Sequence, residues 1–128
     1  MFDRFRSAAG GALFADASTT LIDTNFTGNW QRNSRASSVV AATAGGAAVY
    51  CKSAALSTPI VRATNCRFDR NEAQAGSGGA VLLQQCDGAF TDSQLCWNTA
   101  TVTGGALFSV QATGSFTRTT FCDNSAPV

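Results

Sequence analysis

The chain has 128 residues, a formal net charge of +1 and 13% charged side chains, enough length for one domain with a real core and too little for two comfortable ones. Eight Arg and one Lys are scattered among seven Asp and one Glu, so no basic face of the kind that dominates nucleic-acid affinity is present, and nucleic acid is excluded as a partner. Histidine is absent, which excludes histidine-dependent triads and imidazole-ligated zinc.

Along the chain, the first seventeen residues mimic a signal peptide, with arginines, a short apolar stretch and Ala15-Asp16-Ala17 as a cleavage-like site. The apolar stretch, however, is the pentapeptide GGALF at residues 10–14, which recurs at 104–108. Gly-Gly-Ala in fact starts at Gly10, Gly45, Gly78 and Gly104, covering Gly11, Gly46, Gly79 and Gly105 as second glycines. Between these lies a second motif, FxxN, at Phe26 to Asn29, Phe68 to Asn71, Leu95 to Asn98 and Phe121 to Asn124. Fixed-period recurrence of this kind marks a repeat architecture. The unit extends to FxxNxA in Asn71-Glu72-Ala73, Asn98-Thr99-Ala100 and Asn124-Ser125-Ala126. Phe2-Asp3-Arg4-Phe5 reads like a further FDRN with its Asn replaced, and the chain stops where another Gly-Gly-Ala would be due. No capping sequence is visible at either end, so an uncapped fragment of a longer array is expected.

Each unit predicts two short runs with strand character broken by Gly, Asn or Asp, and no helical spacing. Five positions before the FxxN aromatic stand Leu21, Ala63, Phe90 and Phe116, an apolar column; the next position holds Ile22, Thr64, Thr91 and Thr117, largely polar, as strand alternation requires. Asp23, Asn65, Asp92 and Arg118 follow, residue types suited to an exposed corner. The expected fold is all-β, a right-handed parallel β-helix of about four coils over residues 1–128. Coils begin near Gly10, Gly45, Gly78 and Gly104, and insertions near 30–44 and 52–59 enlarge the second. Leucine-rich repeats lack support because their L-x-x-L-x-L framework is missing. Paired glycines would make corners, Phe26, Phe68, Leu95 and Phe121 would pile up inside, and Asn29, Asn71, Asn98 and Asn124 would form an amide ladder.

This pairing of GGA with FxxN closely resembles the repeats of the polymorphic outer membrane protein family, from Phe2 to Ala126. The resemblance implies a right-handed β-helical passenger segment of a surface protein. In that family a signal precedes the repeats and a membrane barrel follows; neither is visible in these residues. LCWN departs by carrying Leu for the aromatic, and GGAAVY by carrying Ala where a larger aliphatic is usual.

Carbohydrate-active enzymes also use such scaffolds. Asp23 and Asp92 share a column at roughly 9.6 Å by strand spacing, which suits an inverting pair; the competing expectation pairs Asp92 with Arg118 and leaves Asp23 to water. Calcium and zinc lack ligand groups, and no cofactor is expected. Cys96 and Cys122 share a phase in adjacent coils, within disulfide reach, and either form a bridge implying an oxidising compartment or pack as thiols. Thr64-Asn65-Cys66, Thr91-Asp92-Ser93 and Thr117-Arg118-Thr119 stack in phase, similar to ice-binding threonine arrays. After GGA, two adjacent columns are both apolar: Leu13, Ala48, Val81 and Leu107, then Phe14, Val49, Leu82 and Phe108. One would be an exposed stripe suited to a protein contact unless residues 30–44 cover it. Asn25-Phe26-Thr27 matches the glycosylation sequon, with Phe26 expected to face inward.

The function expected is a non-catalytic, secreted or surface-exposed adhesin-like scaffold. Its partners would be neighbouring coils of a longer chain and a host-surface protein or glycan. A polysaccharide lyase or hydrolase fragment is the alternative, and an ice-binding solenoid the third reading. The longest uncharged run, residues 93–117, is too polar to span a membrane.

Overall fold

In the computed structural model, residues 2–3, 6–7, 12–31, 45–53, 57–74 and 76–127 are described. They form seventeen short strands and no helix. The first circuit of the chain contributes β1 (Phe2–Asp3), β2 (Arg6–Ser7), β3 (Leu13–Ala15) and β4 (Thr19–Ile22), the second β5 (Asn25–Thr27), β6 (Trp30–Gln31), β7 (Val49–Lys52) and β8 (Ile60–Thr64). The third adds β9 (Arg67–Asp69), β10 (Glu72–Ala73), β11 (Val81–Gln84) and β12 (Asp87–Thr91). The fourth adds β13 (Gln94–Cys96), β14 (Thr99–Ala100), β15 (Leu107–Val110) and β16 (Gly114–Thr117), and β17 (Thr120–Cys122) opens a fifth.

Every strand pairs, in parallel, with the strand four places along the chain. One sheet runs β1-β5-β9-β13-β17, and three four-stranded sheets follow β2 to β14, β3 to β15 and β4 to β16 in the same steps. An all-β chain with parallel strands stacked in four sheets is consistent with a β-helix-like solenoid.

The FxxN row is in register: Phe26 opposite Phe68, Phe68 opposite Leu95, Leu95 opposite Phe121, with Phe2 opposite Phe26 at the other end. Phe26, Phe68 and Leu95 are wholly buried, and the rings of Phe26 and Phe68 stack with centroids 5.0 Å apart. Burial of each such side chain is worth about 1.5 to 3 kcal/mol. The second apolar row, Leu21, Ala63, Phe90 and Phe116, is also in register, and Phe68 meets Phe90 edge-on. Phe116 and Phe121, in the last strands, are 43% and 45% exposed and line an open cavity of about 550 Å³ with Ala106 and Leu107.

The Gly-Gly-Ala motif aligns differently in the second circuit. Val49, not Ala48, lies opposite Leu13 and Val81, and Gly45 bridges Ser77. The left-handed row is therefore Gly46, Gly78 and Gly104, with φ of 63°, 68° and 65°, so Gly45 is an extra residue ahead of the corner. The pair has two distinct tasks in the later circuits. The first glycine supplies positive φ, and the second lies flush against the next circuit's backbone: a Cβ on Gly79 would strike the carbonyl oxygens of Gly105 and Thr99. Gly10 and Gly11 lie outside the described residues, as does most of the insertion at 30–44.

Glycine makes only part of the corners. Asp23, Asn65, Asp92 and Arg118 all hold positive φ, 47° to 53°, and so do Arg70, Trp97 and Asp123 in the row that Gly28 begins. Gln85 and Gln111 turn another corner in the same way. A side chain in this region costs roughly 1 to 2 kcal/mol, less for Asn and Asp. The interstrand ladder compensates because it continues through the bend: the N–H of Asp23, Asn65 and Asp92 donates to Thr64, Thr91 and Thr117 carbonyls at 3.1, 3.0 and 2.9 Å.

Candidate functional site

The polar side chains fall into rows that run along the stacking direction. In the innermost row, Asn29 Nδ2 donates to Asn71 Oδ1 at 2.9 Å, Asn71 to Asn98 at 3.0 Å, and Asn98 to Asn124 at 3.0 Å. Each acceptor oxygen also takes the backbone N–H of the preceding Asn, at 3.1, 2.9 and 2.9 Å. The second amide hydrogen of Asn71, Asn98 and Asn124 goes to the carbonyl of Phe26, Phe68 and Leu95. Asn29, Asn71 and Asn98 are fully buried, and this saturation makes such burial affordable. The FxxNxA alanines form the next row, with Ala73 opposite Ala100, though Gln31 takes that place in the second circuit.

A second row, aligned by phase in the sequence as part of an outward hydroxyl array, turns inward instead. Thr24, Cys66, Ser93 and Thr119 each follow a left-handed corner and turn their hydroxyl or thiol back to the carbonyl two residues earlier. Cys66 Sγ also approaches the Leu21 carbonyl at 3.5 Å, and the Thr119 hydroxyl the Phe90 carbonyl at 3.1 Å, so the row ties adjacent circuits. Cys66 is thus a thiol in a hydroxyl position. It is the one free cysteine among the described residues, and burial pushes its pKa up, with backbone hydrogen bonds opposing. The signal available was the Asp-Thr, Asn-Cys, Asp-Ser and Arg-Thr series at one phase.

The other four cysteines form two bridges. Cys96 and Cys122, neighbours in register on β13 and β17, are joined with Cα atoms 4.6 Å apart. Cys51 and Cys86 form the bridge that spacing did not indicate, Cα atoms 6.1 Å apart, because Cys86 lies in the bend after β11 rather than opposite Cys51.

On the outside, the corner carboxylates are paired. Asn65 Nδ2 donates to Asp23 Oδ1 at 2.7 Å, and Arg118 holds Asp92 with Nε and Nη2 at 2.5 and 2.9 Å. The Arg118 hydrogen bond lowers the Asp92 pKa below the usual carboxylate range. Asp87 is lowered likewise, by the backbone N–H of Thr113 donating at 2.8 Å. Asp92 therefore has the partner expected of it, whereas Asp23 pairs with Asn65 instead of facing only water. Beside this row runs an open polar groove of about 360 Å³, lined by Asn65, Arg67, Gln94, Arg118 and Thr120 among others. Arg70 covers the Trp97 ring at 5.1 Å on the neighbouring corner. No group of three or more Cys, Asp or Glu side chains placed to hold a metal occurs among the described residues.

The two apolar columns after GGA separate as alternation demands. Val49 and Val81 join the core, and the other column is Phe14, Tyr50, Leu82 and Phe108, with Tyr50 in place of Val49 because of the one-residue offset. It is not an open stripe. Phe14 is 51% exposed, but Tyr50 and Leu82 are buried, and the Tyr50 hydroxyl bonds Gln84 Oε1 at 2.8 Å. Burial raises the Tyr50 pKa. The proposed cover lies, apart from Trp30 and Gln31, outside the described residues.

Comparisons with protein-family models, with curated proteins and with solved structures each find no match to this chain.

Proposed function

We propose that the chain is a segment of a right-handed parallel β-helix of about four coils, belonging to a longer array similar to polymorphic outer membrane protein passengers. It serves as a non-catalytic, secreted or surface-exposed adhesive scaffold. One observation carries the reading: the polar rows are engaged with their own neighbours along the stack, Asn with Asn, hydroxyl with carbonyl, Asp92 with Arg118 and Asp23 with Asn65. A hydrolytic or lyase site needs carboxylates free to exchange protons with a substrate, and the corner pair Asp23 and Asp92 is already bonded. The hydroxyl triads lend little to an ice-binding face, because the third member of each turns inward and Ser93 is buried. Two bridges between circuits favour an oxidising compartment and hence the cell surface or exterior.

The partner in this reading is a host-surface protein or glycan, reached through the solvated groove beside Arg67, Gln94 and Thr120. The test is paired: binding of the purified chain to cell surfaces and to immobilised glycans, and release of unsaturated or reducing ends from acidic polysaccharides. Saturable binding with an unaltered polysaccharide supports the scaffold. Release that Asp23→Asn or Asp92→Asn abolishes replaces it with the enzyme.

A further inference from the structure

Of the seven asparagines in the chain, Asn25 alone is followed two places on by Ser or Thr. It sits on β5 with Phe26 and Thr27, and Phe26 is completely buried. That inward ring is what frees the motif, because alternation in a three-residue strand sends both flanking side chains outward when the middle one points in. Asn25 and Thr27 are both partly exposed.

The contrast with the other described asparagines is chemical. Asn71 and Asn98 use both amide hydrogens inside the stack, and Asn65 donates to Asp23. No side-chain hydrogen bond engages Asn25 among the described residues. Its row continues in register as Arg67, Gln94 and Thr120, three polar side chains that line the groove of about 360 Å³. A sugar attached at Asn25 would therefore emerge at the end of a polar trough able to donate and accept hydrogen bonds.

We infer that Asn25 is an N-glycosylation acceptor and that the folded protein carries its glycan on the outer face of the β5-β9-β13-β17 sheet. In the transfer, Asn25 Nδ2 bonds to the anomeric carbon of a polyprenyl-diphosphate-linked oligosaccharide and loses a proton. The bond from that carbon to the diphosphate oxygen breaks, and polyprenyl diphosphate leaves with the electron pair. The inference rests on the secreted reading above.

The test directs the full chain, in wild-type, Asn25→Gln, Thr27→Val and Thr27→Ser forms, through the secretory pathway of a eukaryotic cell and maps disulfides and glycopeptides by mass spectrometry. Expected is a glycan on Asn25 of wild type and Thr27→Ser, removed by amidase with conversion of Asn25 to Asp, and absent from the Asn25→Gln and Thr27→Val forms. Secreted protein with both bridges formed and Asn25 unmodified overturns the inference while leaving the secreted reading intact. So does a glycan confined to chains lacking the bridges. Glycan-free product with neither bridge overturns both.

Discussion

Asn71 grips Asn98 twice, its backbone N–H and its Nδ2 both donating to the single oxygen Oδ1 of Asn98, at 2.9 and 3.0 Å. Asn98→Ala leaves those two buried donors without their acceptor and removes the amide hydrogen bond to the Phe68 carbonyl. A loss of about 1 to 3 kcal/mol is expected in urea unfolding followed by circular dichroism. An Asn98→Ala protein as stable as wild type would mean the row contributes nothing to the fold.

Glycine positions separate by mechanism. Gly78→Ala forces a side chain into φ of 68° and also sets its methyl group against the Val81 carbonyl of its own circuit, so a loss of at least about 1 to 3 kcal/mol is expected. Gly79→Ala instead drives a methyl group into the Gly105 and Thr99 carbonyl oxygens, so two circuits must part. Both substitutions should lower the melting temperature, Gly78→Ala by straining one circuit and Gly79→Ala by separating two, measured by thermal unfolding.

The outer ion pair sets an acid limit. The folded pKa of Asp92 lies below its unfolded value of about 3.9, so the pair's contribution is present above that pH and is lost as pH falls through the depressed folded value. The melting-temperature difference between wild type and Asp92→Asn should be small, shrink below about pH 4 and shrink in high salt. A difference that persists unchanged in acid would show that Asp92 acts through something other than its charge.

The cysteines should differ in reactivity. Under native, non-reducing conditions Cys66 is expected to resist alkylation, because the thiol is buried and its pKa is raised. Removing either bridge should lower stability by about 2 to 4 kcal/mol, read from denaturation of Cys51→Ser/Cys86→Ser and Cys96→Ser/Cys122→Ser proteins.

Much of this was legible in the sequence because stacked rows repeat a residue type at one phase. Phe26, Phe68 and Leu95 and the four ladder asparagines align by eye, and so does Cys96 with Cys122. What escaped were features that break phase or hide their chemistry. Gly45 adds a residue before the corner, so matching the letters of Gly-Gly-Ala set Ala48 where Val49 belongs. Cys51 and Cys86 differ in phase, and only the bend after β11 brings them together. Arg70, Trp97, Gln85 and Gln111 turn corners in a conformation their residue types disfavour, because the interstrand bonds on either side hold the backbone there. The row of Thr24, Cys66, Ser93 and Thr119 does align by phase, but its inward turn follows from the left-handed corner before it, which residue type does not announce.

The placement of the two bridges has a mechanical consequence. Cys51–Cys86 ties the second circuit to the third and Cys96–Cys122 the fourth to the fifth, while no bridge crosses from the first to the second or from the third to the fourth. Under a pull on its ends the circuits would separate at those two seams, where only hydrogen bonds and packed side chains resist. The segments closed by the bridges, 35 and 26 residues in sequence separation, would then remain as two covalent loops that a pulling force cannot extend.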